Sequence, residues 1–298
     1  MLKNWFKLAA LLGAGLAVAT LVNLTGCSAV QTVNALVPND TYRLTPDVPY
    51  GPNKRQVLDI YQPKRVPPLG GFPVVVFFYG GSWHMGERAQ YRFLGEALAS
   101  HGALVMVADY RVYPEVSYPD FLPDCAQAVV YALTHAQSHG GNPHRVVVMG
   151  HSAGAYNAAM IALDPRWLAQ QGHAPSELAG WVGLAGPYDF IPIGDLETRE
   201  TFHHPNVPLD SQPISHVNAK APRTFLATGI TDETVNPERN SIQLAQRLRD
   251  AGVMVDFHRY ERVGHVSLIG SFAQPLRWLS PALRDVMAFI QSLRTDTP

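Results

Sequence analysis

An α/β fold, with a mostly parallel central sheet flanked by helices, is predicted by three observations. Strand-like apolar runs alternate with helix-like amphipathic stretches along most of the chain, the pattern of successive βαβ crossovers. The run Val74-Val75-Val76-Phe77-Phe78 is apolar at every position, which suits a strand covered on both faces. With 47% hydrophobic and 16% charged residues in 298, the chain can bury one sizeable core, and it reads as a single folded domain.

Taken in order, residues 41–45 and 57–61 flank the turn-rich Pro49-Tyr50-Gly51-Pro52-Asn53 and are predicted to open the sheet as an antiparallel pair. A Pro/Gly-rich connection, 63–73, leads into the 74–78 strand. Alternation then sets in: helix over 87–100, strand over 103–108, helix over 119–138, strand over 146–149, helix over 153–163, strand over 181–185. Residues 187–222 break the rhythm with prolines at 187, 192, 205, 208, 213 and 222, and an insertion of that length is expected to be a lid or binding loop. The rhythm resumes with strand 224–228, an amphipathic helix 237–251, strand 253–260 and a closing helix 281–293.

Gly150-His151-Ser152-Ala153-Gly154 joins the 146–149 strand to the 153–163 helix. A G-x-S-x-G is weak as a bare pattern, but between strand and helix it reads as a nucleophile elbow, with Ser152 held at the turn. A nucleophilic serine needs a base, and the base needs an orienting carboxylate. Of twelve histidines, His265 follows the last strand directly, on the glycine-preceded loop Arg262-Val263-Gly264-His265-Val266. Asp232 follows the 224–228 strand, 80 residues past Ser152 and 33 before His265; Glu233 and Asp189 are its rivals. Carboxyl ends of parallel strands face one crevice, so the three groups can converge. An oxyanion also needs fixed donors. The backbone N–H groups of Ala153, Gly81 and Ser82 are the candidates, the last two from the loop Tyr79-Gly80-Gly81-Ser82-Trp83 after the 74–78 strand.

These motifs, together with Asp109-Tyr110-Arg111-Val112-Tyr113-Pro114-Glu115, resemble those of α/β-hydrolase fold serine esterases. The resemblance is to the group of hormone-sensitive-lipase-like and kynurenine-formamidase-like carboxylesterases, over roughly residues 50–293. It implies a Ser152–His265–Asp232 triad working through an acyl-enzyme. With no H-E-x-x-H, paired-cysteine or Rossmann pattern in the chain, neither a metal nor an organic cofactor is expected. One departure is Tyr79, where the family pattern usually has histidine to brace the oxyanion loop. The short stretch before the first strand implies a small or absent cap.

At the N-terminus, Lys3 and Lys7 precede a mainly apolar run, 8–24, with no acidic residue, the layout of an export signal. Leu24-Thr25-Gly26-Cys27 resembles the lipobox of bacterial lipoproteins. It implies a signal peptide over 1–26, a lipid on Cys27, a tether over 27–40 and a hydrolase domain over 41–298. Ser28 after the cysteine implies sorting to the outer membrane of a Gram-negative cell envelope. Cleavage after Ala19 and an uncleaved anchor are the competing readings. Cys125, the other cysteine, has apolar helical neighbours and reads as a small buried hydrophobe. Formal net charge is −1, and without the signal 21 basic residues face 24 acidic ones, a net of −3. With no basic block, nucleic acid is excluded as a partner, and a small-molecule ester is expected. An amidase such as an arylformamidase, a non-catalytic envelope lipoprotein on the same fold and, more weakly, a peptidase are the alternatives.

Overall fold

The computed structural model describes residues 26–293; the export segment expected over residues 1–26 and the side chain of Cys27 lie outside the described residues apart from the backbone from Gly26 onward. Among the described residues eight strands form one sheet: β1 Tyr42–Pro49, β2 Val57–Pro63, β3 Phe72–Phe78, β4 Leu104–Ala108, β5 Gly141–His151, β6 Gly180–Leu184, β7 Thr224–Gly229 and β8 Val255–Tyr260. The helices are α1 Gly26–Ala35, α2 Arg92–Ser100, α3 Leu122–His135, α4 Ala153–Leu163, α5 Arg166–Ala169, α6 Leu196–Thr201, α7 Gln243–Asp250, α8 His265–Gly270 and α9 Ala282–Ser292. Strand order is β1-β2-β4-β3-β5-β6-β7-β8. β1 and β2 pair antiparallel, β2 meets β4 antiparallel, and every later neighbour is parallel.

Burial follows from composition. β3, β4, β6 and β7 are buried at every position, as strands covered by helices on both faces must be. The edge strands β1 and β8 carry the exposed polar residues that such a sheet keeps off its centre. α4 is buried along its whole length and packs against β5 and β6. Cys125 is fully buried on α3, as its neighbours imply, and burial pushes its thiol pKa up.

Two segments carry more structure than their sequence suggests. Residues 187–222 hold the short helix α6 and 3-10 turns at Leu209–Ser211 and Pro213–His216, and bury Ile193, Phe202 and Ile214. Residues 26–35, which run from the last residue of the expected signal peptide into the expected tether, are helical, and Asn34 is fixed to the domain. Its Nδ2 donates to the carbonyls of Ala89 and Gln90, and its Oδ1 accepts from Phe93 N–H at 3.1 Å. No helix among the described residues is long and apolar enough to cross a membrane.

Candidate active site

Parallel register brings the strand ends level. Phe78 of β3 lies opposite Gly150 of β5, His151 opposite Leu184 of β6, Leu184 opposite Ala227 of β7, and Gly229 opposite Tyr260 of β8. The segments leaving these ends carry the oxyanion-loop candidates, Ser152, Asp232 and His265.

Ser152 has φ 55° and ψ −125°, a left-handed conformation that costs a non-glycine residue about 1–3 kcal/mol. Packing holds it there. Its N–H donates to Leu184 O at 2.9 Å, and its carbonyl accepts from Ala155 and Tyr156. The flanking glycines are required by space: a Cβ on Gly154 would stand 2.0 Å from Phe78 O, and one on Gly150 would stand 2.0 Å from Gly154 O.

Ser152 Oγ lies 2.8 Å from His265 Nε2, and His265 Nδ1 lies 2.9 Å from Asp232 Oδ2. Asp232 also accepts from the N–H groups of Thr234 and Val235, both at 2.9 Å. Burial raises the pKa of this carboxyl, but the bonds from His265, Val235 and Thr234 outweigh it and hold the group below the usual carboxylate value. A carboxylate kept ionised this way holds the imidazole in the tautomer that leaves Nε2 free to accept a proton. The rivals stand elsewhere: Glu233 is exposed, and Asp189 pairs with Arg239 at 3.0 Å.

The loop after β3 runs left-handed for three residues, Gly81 at φ 130°, Ser82 at 51° and Trp83 at 59°. Gly81 has no alternative, since a Cβ there would stand 2.3 Å from Met85 O. Ser82 and Ala153 border the same cavity as Ser152, and neither the Gly81 nor the Ser82 N–H is used in a hydrogen bond among the described residues. Tyr79 takes the bracing position. Its hydroxyl donates to Asp109 Oδ1 and accepts from Arg55 Nη2, both at 2.8 Å, while its ring stacks between Tyr91 and Tyr110. Asp109 also accepts from Arg88 N–H at 2.7 Å and from the Arg88 guanidinium. Arg111 clamps Asp124 through Nε and Nη2, each at 2.8 Å. The Asp109–Glu115 motif is therefore scaffolding for the loop, with its carboxylate and guanidinium spent on internal pairs.

A cavity of about 390 Å³ opens over Ser152. Trp83, Pro187, Phe190 and Ile193 make an apolar side; Asp189, Asp195, Thr198, Asn236, Arg239 and Asn240 make a polar one. The insertion thus supplies much of the wall. A larger groove of about 540 Å³ between residues 259–262 and 277–281 contains none of the three relay residues.

Several supporting residues escape sequence reasoning because their partners are remote in the chain. Asn157, on α4 and five residues past Ser152, accepts from Trp83 Nε1 at 3.0 Å and fixes the indole that walls the cavity. Asn240 Oδ1 accepts from Tyr188 N–H at 2.6 Å and Asp189 N–H at 2.9 Å, tying the insertion to the segment before α7. His151 is buried, and its Nε2 lies 3.0 Å from His265 O.

The known proteins that this chain resembles are esterases. The model of the BD-FAE family matches residues 58–248. A probable isoprenylcysteine alpha-carbonyl methylesterase of Arabidopsis thaliana is 27% identical over 88% of this chain and 60% of its own. A rice homologue of that name, from Oryza sativa subsp. japonica, is 33% identical over 76% and 59%. Esterase LipQ of Mycobacterium tuberculosis is 30% identical over 70% and 53%. The chain therefore spans some three fifths or less of these relatives' lengths. Among solved structures, propionate-bound esterase 2 of Thermogutta terrifontis superposes with TM-score 0.69 at 24% identity, covering 88% of this chain and 98% of that one. A truncated carbohydrate esterase from gut microbiota gives TM-score 0.69 at 19% identity over 86% and 98%. At such identities these two speak for the fold.

Proposed function

The chain belongs to the BD-FAE family of α/β-hydrolase fold esterases, and on that premise we propose that it hydrolyses carboxylic esters through a Ser152–His265–Asp232 triad and an acyl-enzyme. The observation that carries this reading is the unbroken relay from Asp232 Oδ2 through both ring nitrogens of His265 to Ser152 Oγ, at 2.9 and 2.8 Å.

Ser152 Oγ attacks the acyl carbon while His265 Nε2 takes its proton, and Asp232 stabilises the imidazolium that forms. Charge on the tetrahedral oxygen meets the N–H groups of Gly81, Ser82 and Ala153. His265 returns the proton to the departing alkoxide, leaving Ser152 acylated. Water, deprotonated by His265, then attacks the same carbonyl and releases the acid. The strained turn at Ser152 keeps Oγ at the cavity floor throughout. Since several relatives are named methylesterases, a small alcohol part is a natural first choice of substrate.

The same relay would cleave an amide if His265 protonated a leaving nitrogen, so p-nitrophenyl esters of graded acyl length and a formanilide are assayed side by side. Ester hydrolysis exceeding anilide hydrolysis at every acyl length, and lost in Ser152→Ala, is the expected result. Faster formanilide cleavage would make the protein an amidase. The N-terminal motif adds a location: lipid on Cys27 anchors the enzyme to the cell envelope, at the outer membrane.

A further inference from the structure

We propose that His151 is a positioning residue for this reaction, its Nε2–H holding the backbone of His265 against the nucleophile turn. The inference rests on the triad reading of Ser152, His265 and Asp232 and extends it to the residue that sets their spacing.

The bond is 3.0 Å from His151 Nε2 to His265 O. A carbonyl only accepts, so Nε2 carries the hydrogen and Nδ1 is left as a bare lone pair. That nitrogen is buried and has no hydrogen-bond partner among the described residues. An unsatisfied buried polar atom is destabilising, and an apolar side chain would fill the same space without it. What an apolar side chain could not supply is the Nε2–H donor.

The loop of His265 is anchored by buried Val263 before it and by buried Leu268 and Ile269 after it. Between those anchors His265 opens α8, a helix of six residues, behind Gly264, and the next side chain, Val266, is 73% exposed, so the donor acts on the stretch that packing leaves open. Within the loop, Gly264 N–H donates to Ser267 Oγ and Leu268 N–H to Gly264 O, bonds that shape the turn without linking it to the sheet. Among the described residues, the bond from His151 is the one side-chain link between the elbow and this loop's backbone. The imidazole also sits between the reacting parts. Its ring centroid is 4.9 Å from that of His265, and the space above Gly80 is bounded both by His151 Nδ1 and by Ser152 Cβ, at 3.4 and 2.8 Å from where a Cβ would stand. One ring thus touches the nucleophile turn, the oxyanion loop and the base.

Two amide variants separate positioning from space-filling. In His151→Gln the amide nitrogen reaches the place of Nε2; in His151→Asn it stops near Nδ1 and cannot reach His265 O. Both are compared with wild type for kcat and KM on one soluble ester, per site titrated to completion with a fluorophosphonate so that only folded molecules count. His151→Gln is expected to stay within about threefold of wild type in kcat. His151→Asn is expected to lose about 10–100-fold in kcat with KM within about twofold, the scale of a small misplacement of a reacting group. Equal kcat in the two variants, or a loss confined to KM, would overturn the proposal. The triad reading fails differently: Ser152→Ala would then be as active as wild type, whatever the His151 variants do.

Discussion

Buried beside Ser152, the His151 imidazole has its pKa pushed down to about 3, first by burial and then by the neighbouring His265. In an unfolded chain the same ring titrates near pH ~6.5. Between those values, acidification protonates the unfolded state and not the folded one. The folded state therefore has its full advantage above about pH 6.5 and loses it progressively as pH falls toward 3. Asp232 acts in the same direction lower down, since its folded pKa is below the unfolded value and its contribution fades as the carboxylate protonates. Urea midpoints measured across this window should fall less steeply for His151→Gln than for wild type; parallel curves would show that the ring is not buried in its neutral form. That Ser152, Asp232 and His265 meet was legible from the sequence, because each follows a recognisable strand of one parallel sheet. His151 was not, although it lies inside the most legible pentapeptide, because its partner is a backbone carbonyl 114 residues away. The left-handed Ser82 and Trp83 were equally hidden, since neither residue type favours positive φ.

At the level of elements, the elbow is a contact between helix and sheet that only glycine permits. With 2.0 Å between a Gly154 Cβ and Phe78 O, α4 would have to retreat from β3, and α4 is buried on every side. Gly154→Ala is expected to destabilise the fold by about 3 kcal/mol or more, the upper end of overpacking effects. Gly194→Ala in the insertion, where a Cβ meets nothing within 4 Å, is the control and should melt with wild type. A Gly154→Ala protein melting within about 2 °C of wild type would mean that the helix approach is not tight; at this chain length about 1 kcal/mol corresponds to about 2–4 °C. The elements themselves were readable where periodicity is strong, as in the all-apolar β3. They were least readable in residues 187–222, where Phe202 is buried by packing on Trp83 and Tyr156 rather than by any local repeat. α8 left no legible trace because its six residues span fewer than two turns, too few for a periodic pattern.

On the scale of the whole molecule, sheet order decides where chemistry is possible. Five consecutive parallel pairings bring the ends of β3, β5, β7 and β8 to one edge, and the insertion closes a cavity over it. The N-terminal helix belongs to this body too, since Asn34 binds the segment just before α2. A lipid on Cys27 would then hold the domain by a docked helix rather than a loose strand. Cys27→Ala is expected to move the protein from the membrane pellet to the soluble fraction with its ester hydrolysis unchanged; a variant that stays in the pellet would speak for an uncleaved anchor. Activation of Ser152 by His265 is read out by incubating the folded protein with a fluorophosphonate and locating the adduct by peptide mass. A single adduct on Ser152, formed far more slowly in His265→Ala, is the predicted result; an unlabelled Ser152, or labelling indifferent to His265, would contradict it.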